Sequence, residues 1–174
     1  MTLTPRRSAN LAQRLVDALS TTEVEPPRTG ELERAYTARC LAPIVRDVLD
    51  DLPGSGLRLK GDGSHEQAIP ARVLDVEFFP DLAVSLGSQH LWAAEVKFVR
   101  ASGRQNSVAT AIGQAALYRS RYEHAAVVLI DTGRHNAGAL RALTELDEAL
   151  GLQFVVRAKL GKSLLPSKVK RAAD

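Results

Sequence analysis

FFPDLAVSLGSQHLWAAEVKFVR, residues 78–100, sets two apolar runs on either side of a Gly-Ser-Gln turn and reads as a β-hairpin. Strand side chains alternate between faces. Trp92, Ala94, Val96 and Phe98 therefore point one way, and Ala93, Glu95, Lys97 and Val99 the other. On the preceding strand Asp81, Ala83 and Ser85 share a face opposite Leu82, Val84 and Leu86. Pairing around the turn then sets Asp81 across from the region of Glu95 to Lys97. Three charges in so apolar a hairpin require partners. Two neighbouring carboxylates require a cation, because like charges resist joint ionisation, and Lys97 supplies part of it. Oxygen donors without Cys or His suit a hard ion such as Mg²⁺ or Mn²⁺. His65, His90, His124 and His135 are scattered, without zinc-ligand spacing. The competing reading is a solvent-facing strand surface on which Glu95 and Lys97 pair at little gain.

Upstream, Pro80 predicts an edge or a break inside residues 73–86, which read as one or two strands. LRLKGD (57–62) reads as another strand and GSHEQAIP (63–70) as a loop. Leu11, Leu15 and Leu19 line one stripe of a short helix over 10–20, which TTEVEPPRTG (21–30) breaks. Thr29 is placed to cap a second helix running to about Leu52, with Glu31 and Glu33 in its acidic first turn. Pro43 should kink or interrupt it. Downstream, RASGRQN (100–106) reads as a loop, 107–122 as a helix and AAVVLID (125–131) as a buried strand. A third amphipathic helix with Ala139, Leu143, Leu146 and Leu150 on one stripe leads into a final strand, LQFVV (152–156). The order α-α-β-β-β-α-β-α-β predicts an α/β fold, a mixed sheet flanked by helices.

A chain of 174 residues is large enough for one domain with its own core. It divides into an N-terminal helix and linker (1–29), a core (30–156) and a tail (157–174). Net charge is +3, too small to announce nucleic acid by itself. The tail RAKLGKSLLPSKVKRAAD carries +5, which leaves the first 156 residues near −2. Its Lys168, Lys170 and Arg171 either attract phosphate backbones or serve solubility. A single cysteine precludes an internal disulfide and suits a reducing cytosol. With no apolar run of membrane-spanning length and no signal-peptide core, a cytoplasmic protein is expected.

Pro80-Asp81, followed by Glu95-Val96-Lys97 on the next strand, resembles the motif of the PD-(D/E)XK nuclease superfamily, the restriction-endonuclease-like fold. In GELERAYTARCLAPI (30–44), Glu33, Thr37, Cys40 and Ile44 fall on one helical face that continues to Val48. The superfamily places an acidic residue on such a helix near its metal, and Gly30 to Glu33-Arg34 is similar to the start of Holliday-junction resolvases with one residue fewer. That favours Glu33 over Glu31. AIGQAALYRSRY (111–122) sets Gln114, Tyr118 and Arg121 on one face, away from Ile112, Ala115 and Ala116. This is similar to the superfamily's Gln-x-x-x-Tyr signature.

The resemblance covers residues 30–131 and implies a metal-dependent endonuclease hydrolysing DNA phosphodiesters. Asp81, Glu95 and the Val96 carbonyl would hold Mg²⁺ or Mn²⁺, with Glu33 binding directly or through water. Lys97 would orient the attacking water, Gln114 and Tyr118 would lie beside it, and Arg100, Arg104 and Arg121 would grip phosphates together with the tail. Target recognition would fall to a homodimer or a partner protein. Two alternatives stay open: a non-catalytic nucleic-acid-binding or assembly module that retains the fold, and an α/β protein with a chance motif.

Overall fold

Apolar side chains three and four residues apart bury one face of helix α1, Pro5–Thr21, through Leu11, Leu15 and Leu19. Pro5 suits its first turn, where a missing N–H costs nothing. The computed structural model describes residues 2–52, 55–99, 104–131, 146 and 149–157. The second helix begins at Glu33 and not after Thr29, because Gly30 turns the chain at φ +76° and the Glu31 carboxylate accepts from the Arg28 N–H. It comprises α2 (Glu33–Tyr36), a π-helical turn (Thr37–Leu41) and α3 (Ala42–Asp50). Pro43 has no N–H for the carbonyl four residues back, and the Ala42 N–H reaches Thr37 five back instead. The expected interruption is therefore a change of helical pitch.

Strands β1 (Leu57–Gly61), β4 (Leu82–Leu86), β5 (Gln89–Val99), β6 (His124–Asp131) and β7 (Gln153–Arg157) form one mixed sheet in the order β1-β4-β5-β6-β7. The first three are antiparallel and the last three parallel. Leu82, Val84, Trp92, Ala94, Val96 and Phe98 pack on the layer of α1 and α3. Ala83, Ala93, Val99, Val127 and Leu129 pack on α4 (Arg104–Tyr118). The alternation of the 78–100 hairpin is thus the division between the two faces of the sheet.

Residues 73–86 hold more than two strands. β2 (Ala71–Val73) and β3 (Val76–Phe78) form a separate two-stranded hairpin, and the chain breaks at Phe79-Pro80 before β4. The sequence hides this because its turn is Leu74-Asp75, both at positive φ, in place of Asn-Gly. α4 starts three residues earlier than expected and ends at Tyr118, so Arg121 lies in the turn beyond it. Most of the helix expected over 139–150 lies outside the described residues, although Leu146, Ala149 and Leu150 are helical. No described helix is long and apolar enough to cross a membrane.

Candidate active site

β5 outruns β4. Their pairing ends at Ala94 opposite Leu82, while β6 accompanies β5 on its other side as far as Val99. The next N–H groups on the exposed edge are those of Val96 and Phe98, and buried backbone donors must find partners. Two carboxylates provide them. Asp81 Oδ2 accepts from the Val96 N–H at 2.6 Å, and Glu33 Oε1 from the Phe98 N–H at 2.8 Å. Lys97 Nζ lies 3.0 Å from Glu33 Oε2 and 3.4 Å from Glu95 Oε1. Asp81, Glu95, Lys97 and Glu33, from three separate segments, therefore meet at one end of the central strand. In a strand the N–H and C=O of one residue face the same edge, so the Val96 carbonyl also faces this cluster.

The electrostatics are those of crowded, buried acids. Burial first and the Glu95 charge second push the Asp81 carboxyl up to about 8, against the Val96 hydrogen bond. Burial raises Glu95 as well, against the pull of Tyr118 and Lys97. Burial opposes the Lys97 ammonium, yet the Glu33 hydrogen bond and the surrounding carboxylates outweigh it and raise its pKa. Tyr118 is fully buried, its hydroxyl 2.7 Å from Glu95 Oε2 and 3.0 Å from the Phe79 carbonyl. A hydroxyl has one proton to give. Given to Glu95, it favours the charged carboxylate and works against burial.

Among the described residues no three His, Cys, Asp or Glu side chains are grouped as a cation site requires. The carboxylates here are gathered around an ammonium, with Lys97 bridging Glu33 and Glu95. In chemical kind the set nonetheless fits a hard divalent ion. It consists of carboxylate oxygens and a carbonyl, and burial holds its acids off ionisation despite Lys97 beside them.

Of the remaining expected residues, Gln114 is half-buried one turn before Tyr118 on α4, its Oε1 buried without a hydrogen bond among the described residues. Tyr118 does not stand on a polar face away from Ala115, because it shares the buried stripe of Ala111 and Ala115. Arg121 is exposed and off that helix. Glu31 is occupied elsewhere, bound by Arg39 at 2.8 and 2.9 Å. Arg100, Lys168, Lys170, Arg171 and the Arg104 side chain lie outside the described residues. Arg157, counted with the basic tail, is instead buried in β7 and donates to the Leu19 and Thr22 carbonyls at the end of α1.

One neighbour of the cluster escaped the sequence. Asp62 donates its N–H to the Asp81 carbonyl at 2.7 Å, and burial raises its carboxyl, which Arg34 meets at 3.2 Å. The signal was the Gly-Asp-Gly run. Gly61 (φ +94°) has no room for a Cβ, which would stand 2.4 Å from the Asp81 carbonyl oxygen. No family model matches the chain, and no curated protein or solved structure is significantly similar to it.

Proposed function

We propose that the chain is a metal-dependent DNA endonuclease of the PD-(D/E)XK type, with a restriction-endonuclease-like fold. The observation that carries the reading is the meeting of Asp81, Glu95, Lys97 and Glu33 at the end of β5 that β4 leaves uncovered. Acids held off their ordinary ionisation by burial, with a lysine between them, are what functional sites concentrate. Asp81, Glu95 and the Val96 carbonyl would hold Mg²⁺ or Mn²⁺, with Glu33 beside them. When bound, such an ion polarises a phosphoryl oxygen and lowers the pKa of water. Lys97 stays protonated at neutral pH, given its raised pKa. It therefore acts as a cation and donor toward the phosphate, stabilising charge as it develops. Tyr118 fixes the Glu95 carboxyl from below.

One observation favours the non-catalytic alternative, a nucleic-acid-binding module. Asp81 and Glu33 already serve the backbone by capping the β5 edge. Nicking of supercoiled plasmid with Mg²⁺ separates the two. Wild type should nick, and Lys97→Ala should lose on the order of 10²–10³ in rate. DNA binding without nicking by wild type would establish the module instead.

A further inference from the structure

Glu33 has a weak hold on its own position. It is the first residue of α2, a helical turn of four residues, and Leu32 before it supplies no side-chain cap. An uncapped first turn leaves its N–H groups to water and frays. Lys97 meets Glu33 at 3.0 Å, but the two side chains are 21% and 33% exposed, and a pair so open to water holds little. Yet the Phe98 N–H has its acceptor only while Glu33 stays in place.

The chain two residues upstream is held far more firmly. The Glu31 carboxylate accepts from Arg39 Nε at 2.9 Å and Nη2 at 2.8 Å, and from the Arg28 N–H at 2.8 Å. Arg39 Nη1 reaches Glu25 at 2.7 Å. A two-point contact between a guanidinium and a carboxylate fixes orientation as well as distance. The Glu31 side chain is 8% exposed. Desolvation offsets much of the attraction in so covered a pair, so it supplies geometry more than stability. Arg39 stands in the π-helical turn, a device that recurs at functional sites, and lies 5.6 Å from the centre of the Tyr36 ring. Tyr36 in turn meets Phe98 edge-on at 5.5 Å. The ion pair and the capped N–H thus belong to one packed unit with Glu33 between them.

We propose that Arg39 and Glu31 are positioning residues of the candidate site: their ion pair pins the start of α2 and so keeps the Glu33 carboxylate on the Phe98 N–H and beside Lys97. The inference goes beyond the nuclease reading and does not depend on it, because a site of any function at this strand end needs Glu33 in place. It also gives Glu31 a use. The two acids of this segment divide the work, one anchoring the chain and the other facing the site.

Amide hydrogen exchange of the full chain, followed by NMR, tests this without reference to activity. In wild type the Phe98 and Val96 amides should both exchange slowly. Arg39→Ala should speed Phe98 roughly tenfold, the protection of one hydrogen bond, and leave Val96, capped by Asp81, and Trp92 in the core as they were. Glu31→Gln, which keeps an acceptor without the charge, should move Phe98 the same way by less. In a Glu33→Ala background Arg39→Ala should add nothing at Phe98, because the effect runs through Glu33. An unchanged Phe98 in Arg39→Ala overturns the proposal. So does a rise shared by Phe98, Val96 and Trp92, which would make the pair a general stabiliser, and so does an Arg39 effect of full size without Glu33. Plasmid left uncut by wild type would end the nuclease reading and leave the positioning result standing.

Discussion

At Asp81 one carboxyl is asked to do two things. It caps the Val96 N–H, which favours its charged form, and it sits buried beside Glu95, which disfavours it more. With a folded-state pKa near 8 against an ordinary 3.8, the native protein binds more protons than the unfolded chain between those values. Stability without metal must therefore fall as pH rises through that window and level off above it. Asp81→Asn keeps an oxygen for Val96 and removes the charge. At pH above 8 it should melt higher than wild type by about 2–4 °C, the shift expected of about 1 kcal/mol at this chain length. At pH 5 the gap should close, and nicking should be lost at every pH. Melts in chelator across that range, run beside the plasmid assay, check both halves. A destabilised variant that still nicks would make Asp81 a structural residue.

At the level of elements, the site exists because β5 continues where β4 stops. Much of this was legible in the hairpin sequence. Alternation put Glu95 and Lys97 on one face, and Pro80, which cannot donate to a ladder, marked the point at which β4 begins. The apolar line from Glu33 to Val48 likewise placed Glu33 toward the sheet. What the sequence could not show was that Glu33 would cap a backbone group, since an overhang depends on the relative lengths of two strands. The β2–β3 hairpin stayed hidden because Leu-Asp carries no turn signature. Tyr118 misled because a phenol is amphipathic, and its ring joined the alanine stripe while its hydroxyl reached Glu95. The cap has a measurable consequence. Glu33→Ala leaves the Phe98 N–H without its acceptor and should cost about 1–3 kcal/mol in urea unfolding, whereas Glu33→Gln retains an acceptor and should cost under about 1 kcal/mol. Equal losses in the two variants would mean that Glu33 is held by Lys97 alone.

Across the whole molecule, the charges gather at the junction of the antiparallel and parallel halves of the sheet, at the carboxyl end of its central strand. There the α1–α3 layer contributes Glu33, the sheet Asp81, Glu95 and Lys97, and the α4 layer Tyr118, so a ligand at this point would couple all three layers. Binding should therefore register as global stability. Protons and a divalent ion would compete for the same oxygens, which gives any metal effect a pH dependence of definite sign. At pH 6 Asp81 is largely protonated and added Ca²⁺ should raise the melting temperature little. At pH 8.5 the acid is mostly ionised, and Ca²⁺ at a hundredfold excess over its dissociation constant should add about 2.7 kcal/mol. Ca²⁺ is the appropriate probe because it takes the same hard oxygens as Mg²⁺ and should support little turnover. Asp81→Asn should abolish the increment at both pH values. Differential scanning calorimetry in which Ca²⁺ and Mg²⁺ leave wild-type melting unmoved at pH 8.5 would mean that Lys97 is the cluster's only cation and that the centre does not work through a metal.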